Sequence, residues 1–92
     1  MEIYYTDGTI EKRKIAPGKV IDMDEVHEIV GGYIQAVPLL RDKVLFCNED
    51  AVSLELPPNP NVTEIVAGRV LLPPGGFLLG NAVIATIKEM GE

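Results

Sequence analysis

The side chains able to act as nucleophile or base are few. His27 is the single histidine, Cys47 the single cysteine and Ser53 the single serine. Nucleophilic catalysis needs a base beside the nucleophile and a third group that orients the base. No local pattern around these three residues supplies that arrangement, so a hydrolase working through His27 ranks last among the readings. Carboxylates are plentiful, at Asp22, Asp24, Glu25 and Glu28 and again at Glu49, Asp50 and Glu55. Helix capping and solvation account for the first group. Asn48-Glu49-Asp50 lacks the length and the central glycine of a calcium loop. A lone cysteine makes neither an internal disulfide nor a structural zinc site. No metal, cofactor or catalytic residue is expected.

The remaining polar residues suit binding better than reaction. Tyr33 and Gln35 alternate along a strand and share one of its faces. If a helix covers that face they are core; if it is open, an aromatic plane beside an amide forms a platform for a planar ring. Asn61 stands at a helix start, where a cap is its expected job. Asn59, beside Pro60, has no such duty and is free to meet a ligand or hold its own loop. Pro73-Pro74-Gly75-Gly76 has backbone N–H groups to offer an anion but not the spacing of a phosphate loop, and a plain connection is the expected reading. Lys12-Arg13-Lys14 is a basic run that reads as a guard on a strand edge. Arg41, Lys43 and Arg69 are isolated cations.

Composition narrows the class. The 92 residues make one domain, and a chain of this size buries only about 60% of its unfolded surface. Apolar residues are 47% of the chain and tryptophan is absent, so the core is built from Val, Ile and Leu. The formal charge of -6 repels a phosphate backbone at long range and argues against a nucleic-acid polymer as partner. It leaves room for a local basic pocket. No signal sequence and no membrane-spanning run is visible, and a reducing, cytoplasmic setting is the expectation.

The elements that must position these residues follow from capping and periodicity. The chain is organised around residues 22–37. Asp22 caps a helix, with Glu25 three residues on as in a capping box. Met23, Val26, Ile29 and Val30 form its apolar face, Gly31-Gly32 stops it, and Tyr33 to Val37 continues as a strand. Before it, Ile3-Tyr4-Tyr5 turns through Asp7-Gly8 into a polar second arm, Thr9 to Ile15, expected at an edge. After it come a turn at Arg41-Asp42, a strand from Lys43 to Cys47, a polar Asn48-Glu49-Asp50 loop and a short extended piece at Leu54 to Leu56. Pro57 to Pro60 forbids regular structure, Asn61 opens a second helix that Gly68 ends, and Val70-Leu71-Leu72 is a brief strand. Phe77 to Ile87 is apolar, broken at Gly80-Asn81 by a bulge, bend or turn, and Ala82 to Ile87 reads as a central buried strand. Lys88 to Glu92 is expected to fray. The fold class is α+β, with an N-terminal hairpin, two short helices and a mainly antiparallel sheet.

Four segments taken in order, Gly31-Gly32-Tyr33-Ile34-Gln35-Ala36-Val37, Phe46-Cys47-Asn48-Glu49-Asp50, Leu56-Pro57-Pro58-Asn59 and Gly80-Asn81-Ala82-Val83-Ile84, resemble the domain-of-unknown-function family 3846 over nearly the whole chain. The family comprises small proteins of bacteria, phages and mobile elements and brings no reaction with it. Gln35 stands where an acid is common in such proteins. The resemblance implies a setting, that of small phage-type proteins that act by binding. The expectation is a homo-oligomeric, non-enzymatic sponge for a host nucleotide-derived signal. Tyr33 would stack, Gln35, Asn48 and Asn59 would hydrogen-bond, and Arg41 and Arg69 would pair with phosphate. The alternative is a protein-interaction module that engages a host protein through Asp24, Glu28 and the polar hairpin.

Overall fold

The computed structural model describes residues 1–69, 72 and 75–91. Alternating strand residues build one five-stranded antiparallel sheet from β1 (Glu2–Tyr4), β2 (Ile10–Lys12), β3 (Ile34–Leu39), β4 (Lys43–Asn48) and β5 (Ala82–Thr86), in the order β2-β1-β5-β4-β3. The domain is α+β, with the hairpin β1–β2 at one end. Its polar arm, β2, is an edge, and the apolar β5 is the central strand, as its composition requires. Both faces of β5 are covered, which explains its lack of polar alternation. Val83 and Ala85 face one core with Ile3, Val44 and Phe46, while Ala82 and Ile84 face another with Tyr4, Leu45 and Cys47. Burying each large side chain of this kind stabilises the fold by about 1.5–3 kcal/mol.

Each core has its own helix. α1 (Met23–Val30) packs Val26 and Val30 on the first face. The Asp22 carboxylate accepts the Asp24 N–H at 2.9 Å, and Gly31 closes the helix with φ 80°, a conformation glycine adopts without a Cβ penalty. Glu25 does not complete a capping box. Its carboxylate takes the Arg13 guanidinium instead, tying α1 to the hairpin. Met23 is exposed rather than part of the apolar face.

α2 (Pro60–Val66) covers the second face with Val62 and Val66. It begins one residue earlier than its expected Asn61 opening, and Asn59 takes the N-cap position without a side-chain cap bond. Proline at the first helical position gives up an N–H that no helix could use, so Pro60 starts the helix rather than forbidding it. Asn61 reaches across to the Gly8 carbonyl at 3.1 Å.

Two further expectations are corrected. Residues 49–55 form turns, with the Leu54 N–H on the Asp50 carbonyl and Glu55 at φ 53°, not an extended piece. Of the bulge, bend or turn expected at Gly80-Asn81 the structure has a bend at Gly80, just before β5, with the Gly80 N–H bonded to the Pro57 carbonyl at 2.8 Å. Lys88–Met90 is a short 3-10 helix rather than a frayed end, pinned by the Ile21 N–H on the Glu89 carbonyl and the Thr86 N–H on the Glu89 carboxylate. The Val70-Leu71 part of the expected brief strand and the Pro73-Pro74 part of the loop lie outside the described residues, and Leu72 is not in a strand.

Candidate functional site

The short α2 leaves part of its sheet face uncovered, and the opening is a cleft of about 420 Å³. Its apolar wall comes from three strands of the sheet, β1, β5 and β3, and from the helix. Tyr4 on β1, Ile84 on β5, Leu39 on β3 and Ile65 on α2 all line it. The first three share a face by register: Tyr4 pairs with Ala82, two residues from Ile84, and Leu39 pairs with Lys43, two residues from the Leu45 that faces Ile84.

Three cations surround this wall. Arg41 comes from the β3–β4 connection, Lys43 from the first position of β4, and Arg69 from just beyond α2. Arg69 spends one N–H on the Ile65 carbonyl at 3.0 Å, which fixes the guanidinium over the cleft wall. Among the described residues neither Arg41, Lys43 nor Arg69 makes an ion pair with an acid. Among the described residues Glu2 is the single acid of the lining. Burial, reinforced by the Glu2 charge, raises the Tyr4 hydroxyl above the ordinary tyrosine value, so it remains a protonated donor at neutral pH.

Arg41 is held there against its own preference. It sits at φ 62° and is followed by Asp42 at φ 57°. Bulky L-residues rarely adopt this conformation, and an asparagine–glycine pair would fit such a connection with less strain. The Ile87 N–H clamps the turn through the Asp42 carbonyl at 2.8 Å. Strain kept at a position where the side chain lines a cleft is a physical pointer to use.

Of the six residues expected to bind, the structure brings Arg41 and Arg69 together in the cleft. The other four stand elsewhere. Tyr33 precedes β3, is 72% exposed and belongs to neither core. Gln35 is exposed on edge strand β3 opposite Cys47, outside the cleft. Asn48 is buried and occupied. Its Nδ2 donates to the Val30 carbonyl at 3.0 Å and its Oδ1 accepts the Asp50 N–H at 2.7 Å, in the Asx turn its sequence suggests. Asn59 is fully buried, with Nδ2 donating to the Tyr4 carbonyl at 2.8 Å and to the Gly80 carbonyl at 2.9 Å. It stitches β1 to the segment that leads into β5 and so positions Tyr4 without itself lining the cleft. Sequence reasoning missed Tyr4, Leu39, Lys43 and Ile84. The available signal was the alternation Lys43-Leu45-Cys47, which places a cation at the end of an apolar strand face.

No nucleophile–base pair forms among these groups. His27 is exposed on α1 over one sheet face, while Cys47 is buried on the other, with the sheet between them. Burial pushes the Cys47 thiol above its ordinary pKa, so its reactive thiolate is scarce. Among the described residues no three His, Cys, Asp or Glu side chains gather to hold a metal ion, and no helix is long and apolar enough to cross a membrane. The site chemistry is that of a cationic rim over an apolar wall.

These features define a small antiparallel α+β domain with a basic cleft beside its second helix. The chain belongs to the family described as Domain of unknown function (DUF3846), whose model matches residues 3–92. No curated protein and no solved structure gives a significant match.

Proposed function

We propose that the protein is a non-enzymatic binder of a phosphorylated, nucleotide-derived small molecule, seated in the cleft beside α2. The observation that carries this reading is the pairing of Arg41, Lys43 and Arg69 with the apolar wall of Tyr4, Leu39 and Ile84 in a cleft of about 420 Å³. Small-molecule sites span about 300–1,000 Å³ and combine an apolar lining with a few placed polar groups. Guanidinium groups engage phosphate oxygens bidentately, and an apolar wall accepts a ring that an inorganic anion lacks. In this reading the ligand is held without reaction and would leave as it entered. In the phage and mobile-element setting that the family suggests, retention without turnover amounts to sequestration of a host signal.

The test is calorimetry of the purified protein against adenosine 5′-monophosphate, cyclic dinucleotides and cyclic ADP-ribose isomers, followed by mass spectrometry of ligand released on denaturation. At least one phosphorylated probe should bind and be recovered intact. Arg41→Ala and Arg69→Ala should each weaken it about tenfold or more, since a hydrogen bond to a charged group contributes about 1.5–3 kcal/mol. Absence of heat with every probe, or recovery of a cleaved product, would refute the reading.

A further inference from the structure

A second, larger cleft of about 640 Å³ opens at the end of the sheet where β2 and β5 finish. It is lined by Lys12, Arg13, Lys14, Lys19, Lys43 and Lys88. Glu2, Lys43 and Ile84 line both clefts. The shared wall is one patch of sheet surface: Glu2 and Ile84 are cross-strand partners, and Lys43 pairs with Thr86, two residues along from Ile84. The two openings therefore adjoin at this patch, the larger one continuing around the end of the sheet to Met1 and Ala85 of the core under α1.

The distribution of charge is extreme. The chain has eight Lys and Arg residues against fourteen Asp and Glu. Six of the eight line the larger cleft and three the smaller, Lys43 serving both, so each of the eight borders this tract, the Arg13 guanidinium being turned to Glu11 and Glu25. Among the described residues the only acids lining it are Glu2 and Glu89, and the Glu89 carboxylate is engaged by the Thr86 N–H and the Met1 ammonium. Arg13 is paired with Glu11 and Glu25; the other seven cations make no ion pair among the described residues. Crowding like charges is unfavourable by itself, and a surface needing only solubility intersperses both signs. Side chains also differ along the tract. The α2 end carries two arginines without an ion pair beside an apolar wall, whereas the cations without an ion pair at the far end are lysines, which act as flexible point charges, Arg13 there being paired with Glu11 and Glu25.

We infer that the two clefts form one groove whose ligand is elongated and doubly anionic, with a ring and phosphate at the arginine end and a second phosphate group among the lysines, Lys43 standing between. This rests on the proposed function and adds the shape and charge of the ligand to it. Glu2 lies in the shared wall and disfavours negative charge at the midpoint, which selects for anionic groups spaced to either side of it.

The test compares a one-ended probe, adenosine 5′-monophosphate, with a two-ended one, 5′-phosphorylated linear diadenylate, by calorimetry at two salt concentrations. The two-ended probe should bind about tenfold or more tightly and lose affinity more steeply with salt, because more counterions are displaced. Lys14→Glu combined with Lys88→Glu should bring the two-ended probe down to the level of the monophosphate while leaving the monophosphate unchanged. Glu2→Gln should strengthen the two-ended probe. Equal affinity for both probes, or equal loss of both on charge reversal, overturns the groove while the single-cleft site survives. Failure of both probes to bind overturns the groove, and the single-cleft reading falls with it only if the cyclic probes also give no heat. Affinity that keeps rising with each added nucleotide would identify a polymer track and overturn a two-ended small ligand.

Discussion

Replacing Asn59 separates a structural role from a ligand-binding one. The Asn59→Ala variant removes two buried hydrogen bonds, from Nδ2 to the carbonyls of Tyr4 and Gly80. Each buried bond contributes about 0.5–1.5 kcal/mol net, and leaving a buried acceptor without its donor costs about 1–3 kcal/mol. The Asn59 Oδ1 has no hydrogen-bond partner among the described residues, so nothing is lost on that side of the amide. Two severed bonds, each leaving a buried acceptor without its donor, therefore destabilise the domain by about 2–6 kcal/mol. In a domain of this length each kcal/mol moves the melting temperature by about 4–8 °C, which predicts a fall of at least about 8 °C. Thermal unfolding followed by circular dichroism, with urea titration as a check, measures it. Asn59→Asp is the sharper companion, because it sets a carboxylate against the same two carbonyls and should destabilise at least as much at neutral pH. A melting temperature within a few degrees of the parent for both variants, with nucleotide affinity reduced, would refute the structural assignment and return Asn59 to the binding surface.

Two other outcomes follow from the fold. Gly80→Ala should destabilise, because Gly80 has φ 83° and an added Cβ would lie 2.8 Å from Leu56 Cδ1; a left-handed L-residue alone costs about 1–2 kcal/mol, and urea midpoints measure the total. Cys47 should resist alkylation in the native protein at pH 8 and react readily in urea. It is buried against β3 and the second core, and burial raises its pKa, so both access and thiolate are reduced until the chain opens; rapid modification of the folded protein by Ellman's reagent would contradict the packing.

Most of the local structure was legible in the sequence because its causes lie within a few residues. Asp22 and Gly31 bound α1 by satisfying or releasing backbone groups at its ends. Asp7-Gly8 turns the first hairpin, and the apolar run after Asn81 requires a strand covered on both faces. The errors were also local. Pro60 was read as a breaker although its missing N–H suits a first helical position, and Glu25 was read as a cap although Arg13 competes for its carboxylate.

The binding surface was another matter. Arg41 and Arg69 are far apart in the chain, and nothing near either says that they meet. They do so because β5, last in sequence, inserts between β1 and β4, which sets the β3–β4 turn and the end of α2 on either side of one opening. The same insertion brings the Lys12–Lys14 run, Lys43 and Lys88 to one end of the sheet. Composition alone established that the chain is acidic and forms one small domain with an aliphatic core. That its few cations border one tract, and that Asn48 and Asn59 are held inside by backbone carbonyls, was decided by strand order and burial, since these alone determine which residues distant along the chain become neighbours.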